Sequence, residues 1–392
     1  MAADLSFIIL SFVIPGELQA SPASLAAFFA LVCWIGLWLL PWKPWSTREH
    51  LEPVNANRAE TIERELTVLI PARNEEATIA RTISAVRLQA PDVRIILVDD
   101  QSTDQTAKVA RSTDDPNLIV FAGQPMPAGW IGKLWALEQG LSLVETSWVL
   151  LLDADVELTE GMLNTLWQKR DALDLVSVMA ELRMHSFWEK WLAPAFVYFF
   201  KLVYPFALGN SSKHSIGVAA GGCILVKRAQ LRRLGGFAAM RDALIDDCTL
   251  AKRLKSLGSR NWIGLTHGVK SHRPYEELHD FWEMVARTAF TQLRYSWIFL
   301  IGTTVLMLLL FVGPVVGLIA GEIVGRVLSV AAFAVMAGLY CPVLRYYRRS
   351  SLWSLTLPLI ATLFLAMTWS SAIRFWRGHR SAWKGREYRT GG

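Results

Sequence analysis

Along the chain, long uncharged runs flank one stretch of mixed polarity. Leu25–Trp42 carries no charge over 18 residues, Trp297–Gly321 none over 25, Val327–Leu344 none over 18 and Ser351–Ile373 none over 23. A hydrocarbon core takes about 20 apolar residues of helix. These runs predict one N-terminal span and three C-terminal spans. Leu5–Pro15 is apolar but short, and no basic segment precedes it, which argues against a cleaved leader. Between the spans, short apolar runs alternate with helix-spaced patterns. Strands are predicted at Leu66–Ile70, Val93–Val98, Leu118–Phe121 and Trp148–Leu152, with helices at Ala77–Leu88, Thr103–Ala110 and Gly132–Val144. Continuous apolar strands between helices predict an α/β domain whose mainly parallel sheet is buried on both faces. Phe187–Leu208 is aromatic-rich but holds Glu189, Lys190 and Lys201. It predicts an interfacial helix lying on the membrane, with a buried core helix as the alternative. The expected organisation is a membrane segment over 1–45, the α/β domain over 46–296, a membrane region over 297–376 and a basic tail over 377–392.

Composition agrees with a membrane protein. Of 392 residues, 53% are hydrophobic and only 19% charged, against roughly 25% charged in soluble domains. This excludes a disordered chain and an ordinary soluble enzyme. Seventeen Trp suit membrane interfaces. The four Cys form no CxxC pair, which argues against a disulfide scaffold or a zinc ribbon. The net charge is +6. Lys43 and Arg48 follow the first span, and Arg345, Arg348 and Arg349 follow the third, so the positive-inside rule puts the α/β domain on the cytoplasmic side. Arg374, Arg377, Arg380, Lys384, Arg386 and Arg389 also ask for that side, yet four simple crossings would send them outside. Either the last segment folds back near Pro358 or the N-terminal segment changes the count. The tail reads as a contact with anionic lipid; no recognition motif points to nucleic acid.

Polar residues recur where the predicted strands end. Pro71-Ala-Arg-Asn74-Glu75 follows the first strand, Asp99-Asp100 the second and Asp153-Ala-Asp155 the fourth. Ligands of open α/β sheets bind beyond the carboxyl ends of strands, so these acids should face one crevice. No glycine-rich phosphate loop follows a strand, which argues against a dinucleotide fold or a P-loop. Asp153 and Asp155 are two apart and can turn hard oxygens towards one Mg²⁺ or Mn²⁺ shared with a diphosphate. Asp99 and Asp100 can accept hydrogen bonds from a base or ribose, while Ser102 is expected to cap the next helix. Asn74 and Glu75 can contact a donor or open a helix. Lys133 can meet a phosphate. Asp246 and Asp247 open a helix-spaced pattern and can stabilise its dipole or supply a general base. Gly221 and Gly222, before a strand-like run at Cys223–Val226, admit a close approach to backbone or a bulge. His267 and His272 are not at helical metal spacing and read as hydrogen-bonding or structural.

Taken in order, these segments resemble the family 2 glycosyltransferases of GT-A fold. The resemblance covers about residues 66–296 and runs through Pro71-Ala-Arg-Asn-Glu, Val98-Asp-Asp-Gln-Ser-Thr-Asp104, Gly132-Lys-Leu-Trp-Ala136, Asp153-Ala-Asp155, Gly235-Gly-Phe237 and Asp246-Asp-Cys-Thr-Leu250. It implies inverting transfer of a sugar from a nucleotide-diphosphate donor, such as a UDP-sugar. Asp99 would face the nucleobase, Asp153 and Asp155 the diphosphate and its metal, and Asp247 would be the base. The chain departs from the family in three places. Asp246 replaces a Glu, Glu138 stands where Asn is common, and the motif of processive enzymes is reduced to Gln292-Leu-Arg294-Tyr295, here an acceptor-side element. The layout is similar to ceramide-glucosyltransferase-like enzymes. Gly129–Ala136, Ser271-His-Arg-Pro-Tyr275 and Arg287–Tyr295 resemble bacterial hopanoid-associated glycosyltransferases. The resemblance implies a lipid acceptor and a bacterial inner-membrane location. A polysaccharide synthase and a non-catalytic scaffold are the rival readings.

Overall fold

A computed structural model describes residues 21–54, 62–383 and 386–389 of the chain. The Leu5–Pro15 segment and Lys384 of the tail lie outside them. Eight strands form one sheet: β1 (Leu66–Ala72), β2 (Arg94–Asp99), β3 (Leu118–Ala122), β4 (Trp148–Leu152), β5 (Val156–Leu158), β6 (Leu175–Glu181), β7 (Cys223–Lys227) and β8 (Asn261–Ser271). Their order is β3-β2-β1-β4-β7-β6-β8-β5. β1 pairs in parallel with β2 and β4, as β2 does with β3 and β6 with β8. β7 runs antiparallel to both β4 and β6, and β5 antiparallel to β8. The sheet is therefore mixed, a Rossmann-like GT-A arrangement. The reversal has a simple cause. After β6 the chain stays at the same edge through a long helix, so β7 re-enters from that edge and must run back.

Period-two burial builds two cores, one on each face of the sheet. Val68, Ile70, Ile95, Leu97, Leu150 and Leu152 pack under the helices Ile79–Gln89 and Met162–Lys169. Leu69, Ile96, Val98, Val149 and Leu151 face Gly132–Ser142 and Asp246–Ser256 on the other side. A third core joins the domain to the long apolar helices that flank it. It centres on the helix Phe187–Val203, whose Trp191, Leu192, Ala195 and Tyr198 pack with Trp34, Met336, Tyr340 and Phe364. This helix is thus a buried joint, and only its ends, Phe187 and Val203, expose large apolar side chains. Apolar partners on several sides outweigh the cost of its two buried charges, Glu189 and Lys201, because both are matched. Glu189 accepts from the backbone N–H groups of His185 (2.8 Å), Ser186 (3.0 Å) and Tyr275 (2.9 Å). Lys201 lies 3.5 Å from Glu49.

Four helices are long and apolar enough to cross a membrane: Pro22–Leu39, Trp297–Ala320, Ile323–Tyr346 and Ser351–Trp376. Leu25, Phe28, Val327 and Val330 point apolar side chains outwards. Small residues bring the first three together, a packing that apolar helices also use in bilayers. A methyl group on Gly317 would sit 2.2 Å from Ser329 Oγ, and one on Gly325 2.2 Å from Ser24 Oγ. The last helix behaves differently. It touches the α/β domain or the joint at its start, middle and end, through Thr356–Trp191, Phe364–Phe281 and Arg374–Glu283. Beyond it, His379–Trp383 and Arg386–Arg389 pair as an antiparallel hairpin.

Candidate active site

The mixed topology places the carboxyl ends of β1, β2, β4 and β8 and the amino end of β7 along one edge. A cleft open to solvent runs along it. Pro71 is the penultimate residue of β1, Asp153 and Asp155 occupy the turn between β4 and β5, and Gly221 and Gly222 lead into β7. Asp246 and Asp247 begin the helix Asp246–Ser256, and Lys133 lies in the first turn of Gly132–Ser142. All of these, with Glu75, line the cleft.

At its polar end the cleft is an ionic knot. Lys133 Nζ lies 2.8 Å from Asp153 Oδ1 and 3.3 Å from Asp246 Oδ2. Burial works against the Lys133 ammonium, but Asp153, Asp246 and Asp247 outweigh it and hold its pKa above the ordinary value. Burial raises Asp153 against the pull of Lys133, with the like charges of Asp155 and Asp246 adding to the rise. Asp247 is pushed up to about 7, first by burial and then by the charge of Asp246, against hydrogen bonds from the backbone N–H groups of Cys248 and Gly221. The Cys248 bond, to Asp247 Oδ1, is 2.6 Å long. A carboxylate tuned to neutrality in a cleft is suited to accept a proton there. A methyl group on Gly221 would lie 3.3 Å from Lys133 Nζ and 3.4 Å from Asp247 Oδ2. The absence of a side chain at 221 keeps the knot accessible.

Residues 67–235 match the family model for glycosyl transferase family 2. This segment is similar to glycosyl transferase family 2 domains. Two curated relatives match a shorter stretch. The 4,4'-diaponeurosporenoate glycosyltransferase of Staphylococcus aureus (strain bovine RF122 / ET3-1) is 38% identical over 93 residues, 24% of each chain. The enzyme of that name from strain USA300 is 38% identical over 91 residues, 23% of this chain and 24% of that one. The match thus spans about a quarter of these relatives. A solved structure, the mannosyltransferase PcManGT from Pyrobaculum calidifontis in complex with GDP-Man and Mn2+, superposes with a TM-score of 0.52 at 17% identity. It covers 91% of this chain and 99% of that one, a likeness of fold.

Within the matched segment, Asp153 and Asp155 fit a divalent ion by their chemistry. Both present hard oxygens to the cleft. Among the described residues no further His, Cys, Asp or Glu completes a cage around an ion. An incomplete set suits Mg²⁺ or Mn²⁺, which keep waters and share substrate phosphates.

Several expected site residues do not line the cleft. Asn74 adopts a left-handed backbone (φ 52°), its N–H donates to Ser102 Oγ (3.0 Å), and its Oδ1 accepts from Thr103 N–H (2.8 Å). It clasps the loops after β1 and β2. Asp99 Oδ1 accepts from Ser102 N–H (3.2 Å), and Asp100 is fully buried beneath the cleft edge. Ser102 does not cap the following helix. The N-cap is Gln105, without a side-chain cap; Asp104 Oδ1 accepts from Thr106 N–H at 2.9 Å just before the helix, and Ser102 Oγ accepts from Asn74 N–H. Gln292 accepts a 2.5 Å bond from Tyr204 Oη behind the cleft, and Arg294 is exposed in a left-handed turn (φ 53°). Neither lines the cleft. His272 meets Glu157 at 2.6 Å, and His267 stacks on Tyr346 at 4.3 Å.

The cleft also holds residues without an expected role. Arg273 and Arg287 line it, as do Tyr275 and the aromatic pair Phe196 and Phe200 of the joint helix. Arg273 and Arg287 fall inside segments singled out by resemblance alone. No helix or strand periodicity marks a lone Arg that turns into a crevice.

Proposed function

We propose that this chain is a membrane-bound inverting glycosyltransferase that moves a sugar from a nucleotide-diphosphate donor, such as a UDP-sugar, to a lipid hydroxyl of hopanoid-like type. One observation carries the reading. Lys133, Asp153, Asp155 and Asp247 meet in a single cleft whose other wall is Phe196 and Phe200 of the helix packed on the membrane bundle. Donor and lipid can therefore meet at one place. Lys133, Arg273 and Arg287 hold the donor diphosphate as point charges or forks. Asp153 and Asp155 hold a divalent ion, which supplies charge neutralisation for the leaving diphosphate. Asp247 takes the proton of the acceptor hydroxyl. That oxygen bonds to the anomeric carbon from the face opposite the leaving group, the carbon–oxygen bond to the diphosphate breaks, and the nucleoside diphosphate departs. The domain faces the cytoplasm of a bacterial inner membrane, where nucleotide sugars are made.

Lipid mass spectrometry tests the proposal in a host lacking this protein, complemented with wild type or Asp247→Asn. One glycolipid should return with wild type alone, its added mass giving the sugar and its aglycone the acceptor. Asp247→Asn should lower turnover by about 10²-fold or more, the worth of a general base. Equal restoration by both forms would remove Asp247 from the role.

A further inference from the structure

Lys133 occupies an unusual position. A cation in the first turn of a helix faces the positive end of the dipole, and the N-cap residue of Gly132–Ser142, Ile131, has no polar side chain to offset it. What holds Lys133 there is the set of carboxylates, above all Asp153 at 2.8 Å. Asp153 is also one of the two carboxylates suited to a divalent ion. One oxygen, Asp153 Oδ1, thus faces two claimants.

We infer that Lys133 is a tethered cation that competes with the divalent ion for Asp153 until a donor diphosphate draws it away. This rests on the metal placement proposed above. Without donor, the ammonium neutralises Asp153 and Asp246 and keeps the acidic cleft from collecting metal. With donor, the diphosphate offers Lys133 a new anion beside Asp246, so Asp153 Oδ1 is released as the ion arrives. Metal and nucleotide then each raise the other's affinity, as linkage requires. Gly221 fits this account, since a side chain there would press on the ammonium from 3.3 Å and hinder its movement.

The test is Mn²⁺ affinity of the full-length protein in detergent, read by electron paramagnetic resonance of the free ion, with and without UDP or GDP. Without nucleotide, Lys133→Gln should bind Mn²⁺ about tenfold more tightly than wild type, while Lys133→Arg, which keeps the charge, should stay close to wild type. The gain in Mn²⁺ affinity on adding nucleotide should shrink in Lys133→Gln. Unchanged or weaker Mn²⁺ binding by Lys133→Gln overturns the inference. Asp155→Asn separates the two levels. If it weakens Mn²⁺ binding while Lys133→Gln does nothing, only the competition fails. If it has no effect in either background, the metal placement fails and the competition with it.

Discussion

Asp247 gains its tuned proton affinity from position rather than residue type. Burial and Asp246 raise it, and the Cys248 and Gly221 amides pull it back, leaving it at about 7. A base must be deprotonated to work, so turnover should fall as pH drops through about 7. In Asp246→Asn the like charge is gone, and the midpoint of that acid limb should move to lower pH. The normalised pH profile of kcat/KM checks this, and an unmoved limb would break the link between the limb and Asp247. Gly221→Ala should lower kcat about tenfold with little change in Tm, since misplacement of under an ångström in a site is costly to rate and cheap to fold. The acids themselves were legible, because each follows an apolar strand or opens a helical pattern. Which of them line the cleft was not. Asp99 and Asp100 look equivalent to Asp153 and Asp155 in sequence, but Asp100 turns under the sheet edge and Asp99 binds its own loop.

At the scale of elements, the joint helix Phe187–Val203 carries the cleft's aromatic wall, and Glu189 fixes it to the strand-end segment that holds Arg273 and Tyr275. Burial would raise Glu189, but the amides of Tyr275, Ser186 and His185 hold it below the usual carboxylate range. Glu189→Gln turns an amide N–H₂ towards these donors and should cost about 2–4 kcal/mol of stability. A depressed folded pKa contributes stability above the unfolded value, near 4.5, and loses it as pH falls through the folded one. The Tm gap between wild type and Glu189→Gln in detergent should therefore be widest at neutral pH and narrow below about pH 4. A gap independent of pH would assign the loss to shape rather than charge. This helix shows where sequence periodicity stops. Its aromatics predict an apolar partner, but lipid and protein are equally apolar, and only the fold places Tyr340 and Phe364 against it. The apolar strands β1, β2 and β4 were legible for the opposite reason, since burial on both faces leaves no polar phase to misread. β6 and β8 escaped because Ser177, His267 and Lys270 interrupt their apolar runs.

For the whole molecule, the last apolar helix decides where the tail emerges. Leu357–Trp376 is 20 residues, about 30 Å long. A helix leaving the domain to cross the bilayer would carry its end that far away. Instead Arg374 meets Glu283 through two 2.5 Å contacts, and the N–H of Phe290 donates to Ser371 Oγ at 3.1 Å. Ile323–Tyr346 shows the contrast. Its start packs by Ser24, and its far end reaches the domain through the Tyr346–Glu52 bond of 2.7 Å. The last helix thus runs along the base of the domain, and the basic tail should lie on the domain's own side. That also satisfies the positive-inside rule, which four crossings would break. Single cysteines at Arg111, Glu322 and Gly378, in a chain whose own four cysteines are replaced, test it with an impermeant thiol reagent. Gly378→Cys should label in inverted vesicles together with Arg111→Cys, and Glu322→Cys should label in right-side-out cells. Labelling of Gly378→Cys alongside Glu322→Cys would mean that the Arg374–Glu283 pair opens in the membrane and that the last helix crosses after all.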